Sequence, residues 1–176
     1  MIASPPDAPA VPGDAPARRT PSPGDVWFAG LLTLAFALVP VLYGGIGGPG
    51  PAVLVLATAL GFVQLIALVW RRSHPERTAV IVAVAAVGHF ALGQFLQPSD
   101  VAVLVALYSV TTFGRPGSGR LWVLISMAGA AMVAVGYGSM SGRDLATGAV
   151  IGTFFFIGCA ALALTAWAIA LMRRAR

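Results

Sequence analysis

The chain has 176 residues, 58% of them hydrophobic and 10% charged, with a mean hydropathy of +0.87. Soluble domains carry about 25% charged residues, so this chain has too little charge to coat a water-soluble core. Its formal net charge of +5 does not point to nucleic acid, because the arginines sit at the ends of apolar runs and not along one polar face.

Residues Met1–Asp25 hold seven prolines, no aromatic residue and few bulky apolar ones. Such a segment buries too little surface to offset chain entropy, so a disordered cytoplasmic tail with polyproline II character is expected. It lacks the basic start and apolar stretch of a signal peptide. Residues 26–176 are read as one transmembrane domain.

Six apolar runs follow: Trp27–Tyr43, Pro51–Trp70, Thr78–Leu96, Val101–Phe113, Leu121–Met140 and Gly148–Met172. A helix crossing a core of about 30 Å needs about 20 residues. The first run contains Pro40, which removes a backbone donor and predicts a kink, and it leaves through the glycine-rich stretch Gly44–Gly50. The fourth, at 13 residues, is short enough for a re-entrant segment. Pro98-Ser99-Asp100 supplies its start and Gly114 with Pro116 its stop, giving roughly 24 Å of helix. That length spans with local thinning of the bilayer.

Charge decides for six crossings. With all six runs threaded in turn, Arg18, Arg19, Arg71, Arg72, Arg77, Arg115, Arg120, Arg173, Arg174 and Arg176 share one face and only Arg143 lies on the other. Leaving the fourth run uncrossed would divide them six to five. Short cytoplasmic loops carry the Lys/Arg excess, so an all-α, six-helix bundle in the plasma membrane is predicted, with both termini cytoplasmic. The arginines then meet phosphate headgroups of anionic inner-leaflet lipids. Trp27, Trp70 and Trp122 fall at the inner helix ends, where amphipathic rings favour the headgroup level.

Polar groups within the spans are costly and therefore candidates for function. His89, Tyr108 and Cys159 fall near the bilayer centre, Gln64 toward the inner side and Gln94 toward the outer. His89, Tyr108 and Gln64 form the candidate ligand-binding set. A His89–Tyr108 hydrogen bond between the third and fourth helices reads either as an interhelical clasp or as a proton- or ligand-sensing site. His74 and His89 are separated by apolar helix with no second cysteine nearby, so no metal site is expected. All six acidic residues lie in tails or at helix ends, which argues against a transporter, and no catalytic constellation or cofactor motif occurs, so no enzyme is expected. Gly148 and Gly152 form a GxxxG at the start of the sixth helix, where close backbone approach serves either packing within the bundle or a homodimer.

Ser73-His74-Pro75-Glu76-Arg77-Thr78 has the look of a kinase phospho-acceptor box, but it occupies a tight basic turn, and no glycine-rich ATP motif occurs. The surroundings of that turn do carry a resemblance. An Arg71-Arg72-x-x-Pro75 loop leads into an Ala/Val-rich helix, then a Gln97-Pro98-Ser99-Asp100 turn, the helix Val101–Val110 and a basic loop. From Val26 to Arg174 the chain resembles the N-terminal membrane domain of actinobacterial sensor histidine kinases. The resemblance implies a multi-helix input module that dimerises and relays a signal along its last helix. The sequence stops at Arg173-Arg174-Ala175-Arg176, where such kinases continue into catalytic modules. The expectation is therefore an input domain without its kinase, acting on a membrane partner by helix association. A small transporter or membrane scaffold is the alternative.

Overall fold

The computed structural model describes residues 20–37, 50–94, 96–140 and 145–175, and its regular elements there are all helical. They are α1 (Pro23–Ala37), α2 (Pro51–Ala67, continued by a 3-10 turn at Leu68–Trp70), α3 (Pro75–Ala91), a 3-10 turn at Pro98–Asp100, α4 (Val101–Phe113), α5 (Ser118–Met140) and α6 (Leu145–Arg174). Residues 1–19 of the expected tail, Pro40, Tyr43, most of the glycine-rich stretch, Arg143 and Arg176 lie outside the described residues; Pro23–Asp25, placed in the tail from the sequence, open α1.

Local chemistry sets the helix starts. Four elements begin on proline (Pro23, Pro51, Pro75 and Pro98), whose missing N–H is no loss at a first helical position. Ser22 caps α1, its Oγ accepting from the Asp25 N–H at 3.2 Å and donating to Asp25 Oδ2 at 2.6 Å. The third run, expected to reach Leu96, ends five residues earlier. Gly93 adopts φ +71°, its N–H reaching Phe90 O and the Gln94 N–H reaching His89 O at 2.9 Å each. This paired closure on a left-handed glycine stops a helix regardless of the apolar residues beyond it.

The helices α2 with its 3-10 turn, α5 through Ser139 and α6 are long and apolar enough to cross a membrane; α1 and the Pro98–Phe113 segment are apolar but shorter. Val55, Val84, Leu124, Val135 and Phe154 are exposed by more than half, whereas the buried side is built largely from alanine, leucine and valine. Leu65, Leu68, Val82, Ala106 and Val110 join α2, α3 and α4 in one cluster, and Leu107, Val123 and Ala163 join α4, α5 and α6 in a second. Apolar residues facing outward on several helices suit a hydrocarbon environment and not water.

Contacts fix which helix ends lie together. Asp25 at the start of α1 meets Arg71 Nη2 at 2.7 Å and Arg72 Nε at 3.1 Å in the α2–α3 turn. Arg71 also stands over the Phe28 ring at 4.3 Å and Arg72 over Phe113 at 5.9 Å. Glu76 at the start of α3 accepts from the Arg115 backbone N–H at 3.4 Å, and Arg174 at the end of α6 donates to Thr111 O at 3.1 Å. The start of α1, the α2–α3 and α4–α5 turns and the end of α6 therefore occupy one end of the bundle.

The Asp25 carboxylate is 1% exposed. Burial works against its charge, but the Ser22 hydroxyl and the Arg71 and Arg72 guanidiniums outweigh it and hold the carboxyl below the ordinary aspartate range. A depressed folded pKa stabilises above the unfolded value, about 3.9, and that contribution is lost as pH falls through the lower folded value. Asp25→Asn should therefore destabilise by about 2 kcal/mol at neutral pH, the scale of charged hydrogen bonds. Thermal unfolding of both proteins at falling pH should show the difference shrinking below about pH 4. A difference independent of pH would mean that the charge contributes nothing.

Candidate functional site

Antiparallel packing of α2 on α3 sets the height of every polar group between them. Near the arginine-rich end, Thr78 Oγ1 donates to Ala67 O at 3.3 Å; at the far end, His89 Nε2 lies 2.9 Å from Ala57 O. Gln64, fully buried between these levels, sends Nε2 to Asp100 Oδ1 at 3.1 Å and reaches Val82 O at 3.5 Å. His89 Nδ1 faces the same Asp100 Oδ1 at 3.3 Å. The other carboxylate oxygen, Oδ2, accepts the Gln97 N–H at 2.7 Å, closing the reciprocal cap of the short 3-10 turn.

Asp100 thus joins three elements through one side chain. Levels on α2 locate it: Gln64 lies roughly 9 Å and Ala57 roughly 20 Å along the helix from Trp70. The carboxylate sits between them, inside the bundle against α2 and α3. The reading that acidic residues lie in tails or at helix ends holds for Asp100, which precedes the first residue of α4. That helix end lies within the bundle because the chain turns back after Gly93 and restarts its helix there. This also explains the brevity of α4. Irregular backbone is tolerated inside a bundle where protein covers it: Ser99 is fully buried, and the bare face of Gly61 in α2 takes the Phe36 ring and Ser99, a Cβ there striking the ring and coming within 3.2 Å of Ser99 Oγ.

Of the three candidate ligand residues, the structure brings Gln64 and His89 together through Asp100 and sends Tyr108 elsewhere. The expected His89–Tyr108 contact is replaced on both sides. His89 is held by Ala57 and Asp100, and the Tyr108 hydroxyl accepts from Arg173 Nη1 at 2.8 Å. The reason is height: Tyr108 lies two turns along α4 from Asp100, toward the arginine-rich end. Gln64 Oε1 and Ser99 Oγ are buried and find no hydrogen-bond partner within the protein.

Among the orienting arginines, Arg71 and Arg72 bind Asp25, and Arg115 faces Glu76, its Nε 3.8 Å from Oε2. Arg77 and Arg120 are exposed, and Arg173 and Arg174 are docked on α4. Gly148 and Gly152 face α5 of the same chain: a Cβ on Gly152 would lie 2.8 Å from Ala134 O, and one on Gly138 would lie 2.9 Å from Gly148 O. No three His, Cys, Asp or Glu side chains gather into a metal-binding group among the described residues.

Sequence reasoning missed Asp100 and Thr111. Two features bore on Asp100: its place just after Pro98, and the shortness of the apolar run that follows it. Thr111 contributes a backbone carbonyl, for which side-chain chemistry gives no signal.

A family model described as a domain of unknown function, DUF7134, matches residues 14–176. No curated protein and no solved structure matches the chain.

Proposed function

We propose that this chain, which belongs to the DUF7134 family, is a signal-input domain of the plasma membrane. In this reading α1 to α6 each cross the bilayer, the arginine-rich end and both termini face the cytoplasm, and α6 carries the output to a membrane partner or a second copy. The resemblance to sensor-kinase input domains motivates it. One observation carries it: α4 is fastened at both ends. Asp100 before its first turn is tied to His89 and Gln64 in the core, while Tyr108 and Thr111 in its second half hold Arg173 and Arg174 at the end of α6. A rigid helix of roughly 20 Å therefore links a buried polar group to the cytoplasmic end of the last helix. Both ends of a two-state element need such contacts before a change at one biases the other.

Cross-linking in native membranes tests it. Leu162, 57% exposed on α6, is replaced by cysteine in a Cys159→Ser background. The expected result is a disulfide-linked adduct, with a second copy or a neighbouring protein, whose yield changes at least about twofold on R173Q/R174Q, a shift worth about 0.4 kcal/mol. No adduct in native membrane would overturn the proposal.

The irregular backbone before α4 favours a second reading, a small transporter, because such breaks beside buried polar groups also mark substrate sites. Solute flux in proteoliposomes, lost on replacing His89 or Gln64, would select it.

A further inference from the structure

We propose that His89 and Asp100 form an intramembrane proton-binding site, reached by water from the Gln97 side. That a proton is the stimulus rests on the input-domain reading; that the site binds one rests on donor and acceptor accounting alone.

The Ala57 carbonyl only accepts, so the 2.9 Å contact places a hydrogen on His89 Nε2. If the imidazole is neutral, Nδ1 is then a bare lone pair. It faces Asp100 Oδ1 at 3.3 Å, and an ionised carboxylate offers only lone pairs. Two acceptors at that distance repel. The geometry is satisfied when one proton lies on the Nδ1–Oδ1 line, carried as imidazolium with carboxylate or as neutral imidazole with carboxylic acid. Both arrangements leave the pair neutral overall, the state a low-dielectric core favours.

The surroundings supply little competing charge. α2 holds no ionisable side chain, Gln64 donates to Oδ1 and the Gln97 N–H to Oδ2. Asp25, Glu76, Arg77, Arg120, Arg173 and Arg174 belong to the arginine-rich end of the bundle, and Tyr108 is turned toward Arg173. Access is one-sided: the His89 side chain is 1% exposed and that of Asp100 15%, with the exposed Leu96 and half-buried Gln97 beside it. Water entering there also meets the needs of Gln64 Oε1 and Ser99 Oγ.

Release breaks the Nδ1–H bond of the imidazolium form, leaves its electron pair on Nδ1 and passes the proton to that water. A single negative charge then remains on Asp100 opposite a lone pair, and repulsion drives the 3-10 turn and the start of α4 from α3.

The test is a pH titration by solid-state NMR of the full chain in liposomes. His74→Gln leaves His89 as the sole histidine; 15N-histidine and 13C-aspartate labels report the pair, with Asp100 assigned by difference from Asp100→Asn. The expected result is one proton on Nδ1–Oδ1 at low pH, lost in one transition seen at the same pH on Nδ1 and on the Asp100 carboxyl carbon. A bare Nδ1 throughout, or no transition between about pH 4 and about pH 10, would overturn it. These readings come from the unaltered pair, so they hold even if Asp100→Asn folds poorly. Following the Leu162→Cys adduct, in a His74→Gln, Cys159→Ser background, across the same pH range separates the two claims. A transition with constant adduct yield keeps the proton site and removes the proton as stimulus; a transition with no adduct at any pH keeps the site and removes the input-domain reading.

Discussion

Asp100→Ala is expected to destabilise the bundle by about 3 kcal/mol, the largest effect of any single polar substitution in the described core. Three donors lose their acceptor together: Gln64 Nε2, the Gln97 N–H and the proton on the His89 side. Two scales compete for the size of the loss. Neutral interhelical hydrogen bonds in membranes contribute about 0.6 kcal/mol each, which for three bonds gives about 2 kcal/mol. Removing one member of a buried ionic pair costs about 3–5 kcal/mol because the other is left uncompensated. Partial access of water to Asp100 lowers that range, and about 3 kcal/mol results. Equilibrium unfolding in mixed micelles decides between the scales, and a loss below about 1 kcal/mol would show that water replaces the carboxylate. Asp100→Asn should cost less, about 1 kcal/mol, because an amide oxygen still accepts from Gln97 while its NH2 donates to a neutral His89. The pair His89→Leu with Asp100→Ala should cost less than the sum of the single changes, since each alone orphans what the other removes.

This site also marks how far the sequence could be read. Helix content and order followed from the apolar runs, with Pro98, Gly114 and Pro116 bounding the fourth, because proline and glycine act locally and a linear reading captures local effects. The shared end of the arginines was legible from charge placement in the same way. Depth was not legible. Counting from helix midpoints assumed that every run starts at a bilayer surface, and that assumption placed Tyr108 beside His89. Gly93 breaks it: one left-handed glycine turns the chain back early, lowers Asp100 into the core and shifts α4 by about two turns relative to α3. A single φ angle of this kind has no periodicity, so pattern reading treats Gly93 as one more small residue in an apolar run. The partners of Arg173 and Arg174 were hidden for the same reason, since they depend on where α4 ends relative to α6.

Gly152→Ile should separate α5 from α6 and cost about 3 kcal/mol, at the upper end of what overpacking imposes. The atom a new Cβ would strike is Ala134 O, at 2.8 Å, with the Ala134 carbon at 3.4 Å. Both belong to backbone, which cannot swing aside as a side chain would, so the helices must part along the crossing. Gly138 makes the reciprocal approach to Gly148 O at 2.9 Å, and one turn further along α6 the Tyr137 and Phe155 rings stack at 4.0 Å. Parting at Gly152 therefore loosens the whole seam. Gly152→Ala inserts the same Cβ but gains about 1 kcal/mol of helix propensity, so a net cost of about 1 kcal/mol is expected. The measurement separates the two roles a GxxxG can have. If Gly148 and Gly152 served a second copy, Gly152→Ile would lower the dimer fraction and leave unfolding of the monomer unchanged. With both glycines turned toward α5, the stability of the monomer should fall and any dimer fraction should stay unchanged. Beyond the glycine seam, α6 is held by Ala163 packed on Leu107 and Val123 and by Arg173–Tyr108 with Arg174–Thr111, so Gly152→Ile should loosen the start of α6 while its far end stays tied to α4.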